Sequence, residues 1–202
     1  MKAFGKYVFA CRGCVVLYLF LLFSSVLSAQ VVSVKTNAAY WGVLTPNIAL
    51  EFPVGQKFTS DWHFLYNPWT FSDNRKMKMM AVQPELRYWF CERFNGHFLG
   101  AHLVGGIYNI GNIDTGLKFF GTDFGSLKDY RYEGWMAGVG IGYGYQWLLS
   151  RHWSLEAEIG LGYIFTRFDR FECVHCGDRI SENEPHHYFG PTKVALSIIY
   201  AF

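Results

Sequence analysis

"GWMAGVGIGYGYQWLL", residues Gly134 to Leu149, sets glycine at positions 134, 138, 140, 142 and 144 and fills the alternate positions with Trp135, Ala137, Val139, Ile141, Tyr143, Tyr145 and Trp147. One side of the segment is nearly bare and the other is wholly apolar or aromatic. A dinucleotide-binding loop needs Gly-x-Gly-x-x-Gly opening a helix, and counting from Gly138 the third glycine position holds Tyr143. Gly134, Gly138 and Gly142 match the small-xxx-small spacing of paired membrane helices, but each glycine costs a helix about 1 kcal/mol and five are present. A period of two belongs to a strand.

Composition and targeting frame that strand. The chain has 202 residues, of which 51% are hydrophobic, 19% aromatic and 17% charged. Its start has the three parts of a secretory signal peptide: Lys2, Lys6 and Arg12, then the apolar run from Val15 to Phe23, then "SSVLSA". Cleavage is expected after Ala29, leaving residues 30–202 as a single β-barrel domain. Cys11 and Cys14 precede the apolar run and would leave with residues 1–29, so a lipoprotein anchor is not expected. Losing the three early positive charges lowers the formal net charge from +2 to −1. No nucleic-acid partner is therefore expected from charge. The mature portion has no uncharged apolar run long enough for a membrane helix.

The same alternation recurs along the exported chain. Leu155, Ala157, Ile159, Leu161, Tyr163 and Phe165 oppose Ser154, Glu156, Glu158, Gly160, Gly162, Ile164 and Thr166. Val82, Pro84, Leu86, Tyr88 and Phe90 oppose Gln83, Glu85, Arg87, Trp89 and Cys91; Val194, Leu196, Ile198, Tyr200 and Phe202 oppose Lys193, Ala195, Ser197, Ile199 and Ala201. Further strands are expected from Val32 to Tyr40, Pro46 to Val54, Thr59 to Asn67 and His97 to Asn109. The total is eight strands, with no helix and no second domain. Pro84 is a blemish in an interior ladder.

Eight alternating strands can close as a soluble ligand-binding barrel or as an outer-membrane barrel, which put the apolar face on opposite sides. The other face of the opening segment is glycine with Met136 and Gln146, which suits a crowded interior better than a solvated surface. The expected fold is thus all-β, an eight-stranded antiparallel up-and-down transmembrane β-barrel of the outer-membrane type. Trp135 and Trp147 are twelve residues apart. At ~3.3 Å per residue and ~40° tilt they lie about 30 Å apart along the membrane normal, near the spacing of aromatic girdles.

Connection lengths agree with that topology, since such barrels alternate short periplasmic turns with longer external loops. Gly55 to Phe58, Glu92 to Gly96 and Leu148 to His152 read as short turns. Pro68 to Met79, Ile110 to Asp129 and Arg167 to Phe189 read as long loops, and only Trp41 to Thr45 is short where length was allowed. The terminal Tyr200-Ala201-Phe202 looks like the signal read by the barrel-assembly machinery.

"NPWTFSDN", "QPELRYWFCERFNGHF", "RYEGW", "YGYQWLL", "CVHCG" and "GPTK" together resemble an uncharacterised family of outer-membrane barrels known as domain of unknown function 3575. The resemblance spans nearly all of the mature chain. It implies a bacterial outer-membrane location and an association with surface-fimbria components, and it supplies no catalytic residues.

Inward-facing charges form the first candidate constellation: Lys35, Glu51, Asp61, Glu85, Arg87, Glu156, Glu158 and Lys193, with His63 and His102 on the same side by parity. Small barrels fill their interiors with side chains, so these charges are expected to pair there and offset desolvation. The alternative is a proton or ion path. Cys173 and Cys176, with His186 and His187 downstream, form the second. An exported loop favours a Cys173–Cys176 disulfide; the alternative is zinc held by Cys173, Cys176, His186 and His187, which have the residue types but only half of a recognised spacing. Cys91 is expected to face inward as an inert core residue. Arg75, Lys76 and Lys78 form a basic run suited to lipopolysaccharide phosphates or to an ordinary solvated loop.

Function divides between two classes. The favoured one is a non-enzymatic outer-membrane protein with a structural, anchoring or assembly role at the cell surface, linked to fimbriae through the resemblance. Its expected partners are membrane lipids and lipopolysaccharide, the barrel-assembly machinery and surface fimbrial proteins, with no cofactor. The alternative is a lipid-modifying enzyme, against which stands the lack of a Gly-x-Ser-x-Gly or an evident Ser-His-acid grouping.

Overall fold

Alternating residues become paired strands over most of the chain. The computed structural model describes residues 32–71, 75–113, 118–119, 122–172 and 177–202. Eight antiparallel strands run up and down in one sheet: β1 (Ser33–Asn37), β2 (Asn47–Pro53), β3 (Phe58–Thr70), β4 (Lys76–Trp89), β5 (Gly96–Gly111), β6 (Tyr130–Leu148), β7 (Trp153–Glu172) and β8 (Arg179–Ala201). Each pairs with its chain neighbours, and β1 pairs with both β2 and β8, so the ladder returns on itself as a closed barrel.

The register around that closure sets who meets whom inside. A hydrogen-bonded row starting at Ser33 passes through Glu51, Asp61, Glu85, His102, Gly140 and Gly162 to Gly190. Ser33 itself pairs with Ala201, eleven residues further along β8, and one of those eleven is absorbed by the irregularity between Pro191 and Lys193. A closed sheet with such a displacement has strands tilted by roughly 35–45° to its axis. Side chains on one row therefore climb the barrel from β1 to β8.

Burial is inverted relative to an ordinary soluble protein. Among the described residues, twenty-one polar or charged residues are buried against seven hydrophobic ones. Large apolar side chains stand on the outside instead, with Ile141 71% exposed and Leu103, Val139, Ile159, Leu161 and Leu196 all exposed. The chain termini of the barrel and the short turns share one end, here called the base; the other end is the rim.

Several expectations need correction. The first strand stops at Asn37, and residues Ala38–Gly42 form a one-turn helix, α1, rather than more strand. The Asn37 side chain accepts a hydrogen bond from the Ala39 N–H at 3.0 Å, a cap that ends the ladder locally. The stretch from Arg167 to Phe189 is mostly strand: β7 and β8 continue pairing to Phe171 and Arg179. Their apolar alternation fades towards the rim, because Arg167, Asp169 and Glu182 replace aliphatic residues there, while the backbone pairing does not. Likewise β3 and β4 stay paired through Thr70 and Lys76, so much of the stretch from Pro68 to Met79 is strand and not loop. Between β5 and β6 lie a two-residue ladder, Lys118–Phe119 with Thr122–Asp123, and a short 3-10 turn, Phe124–Lys128. Cys91 is exposed, since β4 ends at Trp89 and strand parity no longer applies in the turn that follows. Pro84 does lie within β4, and the β4–β5 ladder skips from Val82↔Gly105 to Glu85↔His102 around it.

Candidate functional site

The lower half of the interior is filled by ionisable side chains from six strands. Arg87 on β4 is its centre. Its guanidinium reaches Asp61 Oδ2 at 2.7 Å, Glu156 Oε2 at 2.7 Å, Glu158 Oε2 at 2.8 Å, Glu85 Oε2 at 3.2 Å and Glu51 Oε2 at 3.3 Å. It also stacks over the Phe98 ring, 4.4 Å from the centroid. Lys35 contacts Glu51 and lies 2.8 Å from Glu156 Oε2; Lys193 contacts Glu85 and lies 3.0 Å from Glu158 Oε2. All eight of these charged side chains are fully buried. Around them, the Thr59 hydroxyl bonds Glu51 and receives the Trp89 indole N–H at 2.9 Å. His63 Nε2 lies 2.9 Å from Asp61 Oδ2, and His102 Nε2 lies 2.8 Å from Thr192 Oγ1.

The bare face of the opening segment now has a reason. Arg87 shares a row with Gly100, Gly142, Gly160 and Lys193, and Glu85 and His102 share one with Gly140 and Gly162. A Cβ on Gly100 would collide with Glu85 Oε1, one on Gly140 with His102 Nε2, and one on Gly142 would sit 2.6 Å from Glu158 Oε1. Long charged side chains thus lean across the barrel into space that glycine leaves open, as a narrow interior demands.

Charge does not balance inside this cluster. Five carboxylates, on Glu51, Asp61, Glu85, Glu156 and Glu158, face three cations, on Lys35, Arg87 and Lys193. Burying a net charge is costly, so the surplus can be offset by protons on carboxylates or imidazoles, or by a cation. Glu85, His102 and Glu158 each offer a ligand atom within 4.8 Å of the others, and the Oε1 atoms of Glu85 and Glu158 have no hydrogen-bond partner. These three residues are where a cation could be held.

The remaining candidates lie elsewhere. Cys173 and Cys176 fall outside the described residues. His186 and His187 are consecutive in β8, so their side chains project to opposite faces, and His187 Nδ1 is hydrogen-bonded with the Tyr163 hydroxyl. Arg75 is exposed with its guanidinium 4.9 Å from the Phe71 ring centroid. Lys76 opens β4, and exposed Lys78 lines an outer groove of about 540 Å³ with Tyr66, Met80, Ile107 and Trp135. Sequence reasoning overlooked Thr192, which turns inward at the β8 irregularity, and Phe98, which carries the Arg87 guanidinium. An irregularity of register leaves no mark in an alternation pattern.

Comparison with protein families matches residues 15–202 to the family described as Protein of unknown function (DUF3575). The chain belongs to the DUF3575 family. Neither a curated protein nor a solved structure matches it. In this DUF3575 protein the chemistry of the buried cluster is read from its own residues.

Proposed function

We propose that this DUF3575 protein is a bacterial outer-membrane β-barrel, exported by the signal peptide at residues 1–29, with a non-enzymatic anchoring or assembly role at the cell surface. The observation that carries the reading is the inverted distribution of residues: ionisable groups sealed inside a closed ladder and an apolar and aromatic exterior. Water would penalise that exterior, whereas hydrocarbon matches it, and a closed sheet leaves no backbone edge to satisfy in lipid. Aromatic rings gather at two heights of the outer wall, supporting two interfaces. Near the base, Phe58, Tyr88 and Phe90 pack together, as do Trp153, Tyr200 and Phe202; nearer the rim, Trp135 packs on Phe165. Surface fimbrial proteins are the partners this reading favours, and Arg75, Lys76 and Lys78 are its candidates for lipopolysaccharide phosphate.

Fractionation of envelopes tests the location: the protein should sediment with outer membranes and migrate faster unheated than boiled in detergent gels. Recovery in the soluble periplasmic fraction would overturn the membrane reading. Capture from mildly solubilised envelopes should recover a fimbrial component, while altered lipid A upon expression would replace the anchoring role with lipid modification.

A further inference from the structure

The surplus of negative charge inside the barrel has a location. Glu85 on β4, His102 on β5 and Glu158 on β7 are 2%, 2% and 4% exposed, and each offers one ligand atom within 4.8 Å of the other two. Glu85 and His102 are directly opposed in the β4–β5 ladder, while Glu158 reaches them across β6. The bare face of β6 permits that reach: a Cβ on Gly142 would lie 2.6 Å from Glu158 Oε1 and 3.4 Å from Glu85 Oε1, so both oxygens converge over one glycine.

Each of the two carboxylates is divided in use. Oε2 of Glu85 is held by Lys193 and by Arg87 Nε at 3.2 Å, and Oε2 of Glu158 by Arg87 Nη2 at 2.8 Å and Lys193 Nζ at 3.0 Å. Their Oε1 atoms have no hydrogen-bond partner among the described residues. Two bare carboxylate oxygens brought together in a sealed interior repel unless a proton or a cation lies between them. A second observation, on a group that is not acidic, decides between the two. His102 Nε2 is engaged with Thr192 Oγ1 at 2.8 Å, while its Nδ1 is buried without a partner among the described residues. Metal-bound imidazoles are oriented in the same way, by a hydrogen bond at the nitrogen that does not ligate. A proton shared by the two oxygens would leave Nδ1 orphaned and cancel one of the two surplus negative charges. A divalent ion satisfies all three atoms and cancels both.

We propose that Glu85 Oε1, Glu158 Oε1 and His102 Nδ1 bind one divalent transition-metal ion of the zinc class, which ties β4, β5 and β7 together inside the barrel. One imidazole nitrogen with two carboxylate oxygens suits zinc, whereas magnesium and calcium prefer oxygen alone. Two ligands each ~2.1 Å from one ion lie at most about 4.2 Å apart, so a small rotation of the long glutamate side chains closes the three atoms on it. Gly100 and Gly142, beside the two Oε1 atoms, leave the room for that rotation. The site is sealed, so the ion enters as the barrel assembles and its binding contributes directly to folding. Its place inside the ladder makes it independent of what the outer wall faces.

Metal content of the full mature protein, purified in mild detergent from cells grown with added zinc, tests the site. The wild type should carry about one zinc per chain after gel filtration, and its urea midpoint should be higher in zinc than in chelator. Glu85→Gln and His102→Gln should lower zinc content at least tenfold and abolish the difference between the two midpoints. His63→Gln, the same change at a second buried histidine, and the double variant Cys173→Ser with Cys176→Ser should keep the ion. Heat-modifiable migration shows which variants assemble; should Glu85→Gln fail, His102→Gln, which removes no carboxylate, is held to the same outcome. An assembled wild type without zinc would overturn the proposal in favour of a shared proton. Full zinc content in His102→Gln would overturn it as well, and loss of zinc in the double cysteine variant would move the ion to the Cys173–Cys176 loop. Magnesium retained in place of zinc would overturn the imidazole as a ligand. Glu158→Gln should also lose the ion, yet in chelator its midpoint should stay near that of the wild type, because there it only relieves surplus charge; a large loss in chelator would overturn the surplus from which the site is argued.

Discussion

The two halves of one interior solve the same packing problem with opposite chemistry. Near the base, ten ionisable groups on β1 to β5, β7 and β8 converge, and glycines opposite them make room. Towards the rim the same strands turn inward Met77, Met79, Val104, Met136, Ile164 and Tyr188, all partly exposed, interspersed with the buried neutral polar residues Asn67 and Thr166. The difference teaches that barrel radius alone does not decide filling. Where long charged side chains meet glycine rows, the interior closes; where medium apolar side chains meet small ones, it stays open.

The contrast is most easily broken at Arg87. Arg87→Ala leaves five buried carboxylates facing two lysines and should cost about 3–5 kcal/mol, the usual penalty for orphaning a buried ion pair. Urea unfolding in detergent or lost heat-modifiability would show it, and a wild-type midpoint would mean the cluster is solvated rather than sealed. Arg in place of Ile141 or Ile159 tests the exterior instead. Each should cost about 2–4 kcal/mol in a bilayer and impair assembly; tolerance of both would undo the lipid-facing assignment.

Smaller effects sharpen the boundary between the halves. Gly100→Ala inserts a methyl where Glu85 Oε1 lies and should destabilise by about 1–3 kcal/mol through overpacking. Met136→Leu, in the open half, should stay within about 1.5 kcal/mol as a volume-conserving change. Equal costs for the two would show that the interior is uniformly packed. Glu158→Gln should have the smallest effect, about 1 kcal/mol or less in either direction, because it removes one of the surplus negative charges while keeping shape and most hydrogen bonding. A loss as large as that of Arg87→Ala would mean the cluster has no surplus to relieve.

Much of the strand architecture was legible beforehand because alternation is a local property. Ile141 and Gly142 differ in face by parity alone, and the same logic separates Leu86 from Arg87. The rim was less legible: β7 and β8 extend past Phe165 and Phe189 on backbone pairing, which polar side chains neither advertise nor prevent. α1 escaped notice because its cap is a single Asn37 side chain, and a five-residue turn is too short for any periodicity to show. Cys91 was misplaced because parity was carried two residues beyond the end of its strand.

By itself, the sequence determined which residues turn inward along the regular stretches of strand, since a strand offers only two faces and the apolar one is unmistakable. It could also say that ionised groups would share a confined space. Only the tertiary structure decided their neighbours. The register displacement around the closed ladder brings Glu51 and Asp61 from the β2–β3 hairpin, Glu85 from β4, and Glu156 and Glu158 from β7 onto one guanidinium, and lays Gly100, Gly142 and Gly160 in the row of Arg87. Parity is set within a strand, whereas position around and along a barrel is set by the pairing of all eight, and that sum is not written in any one of them.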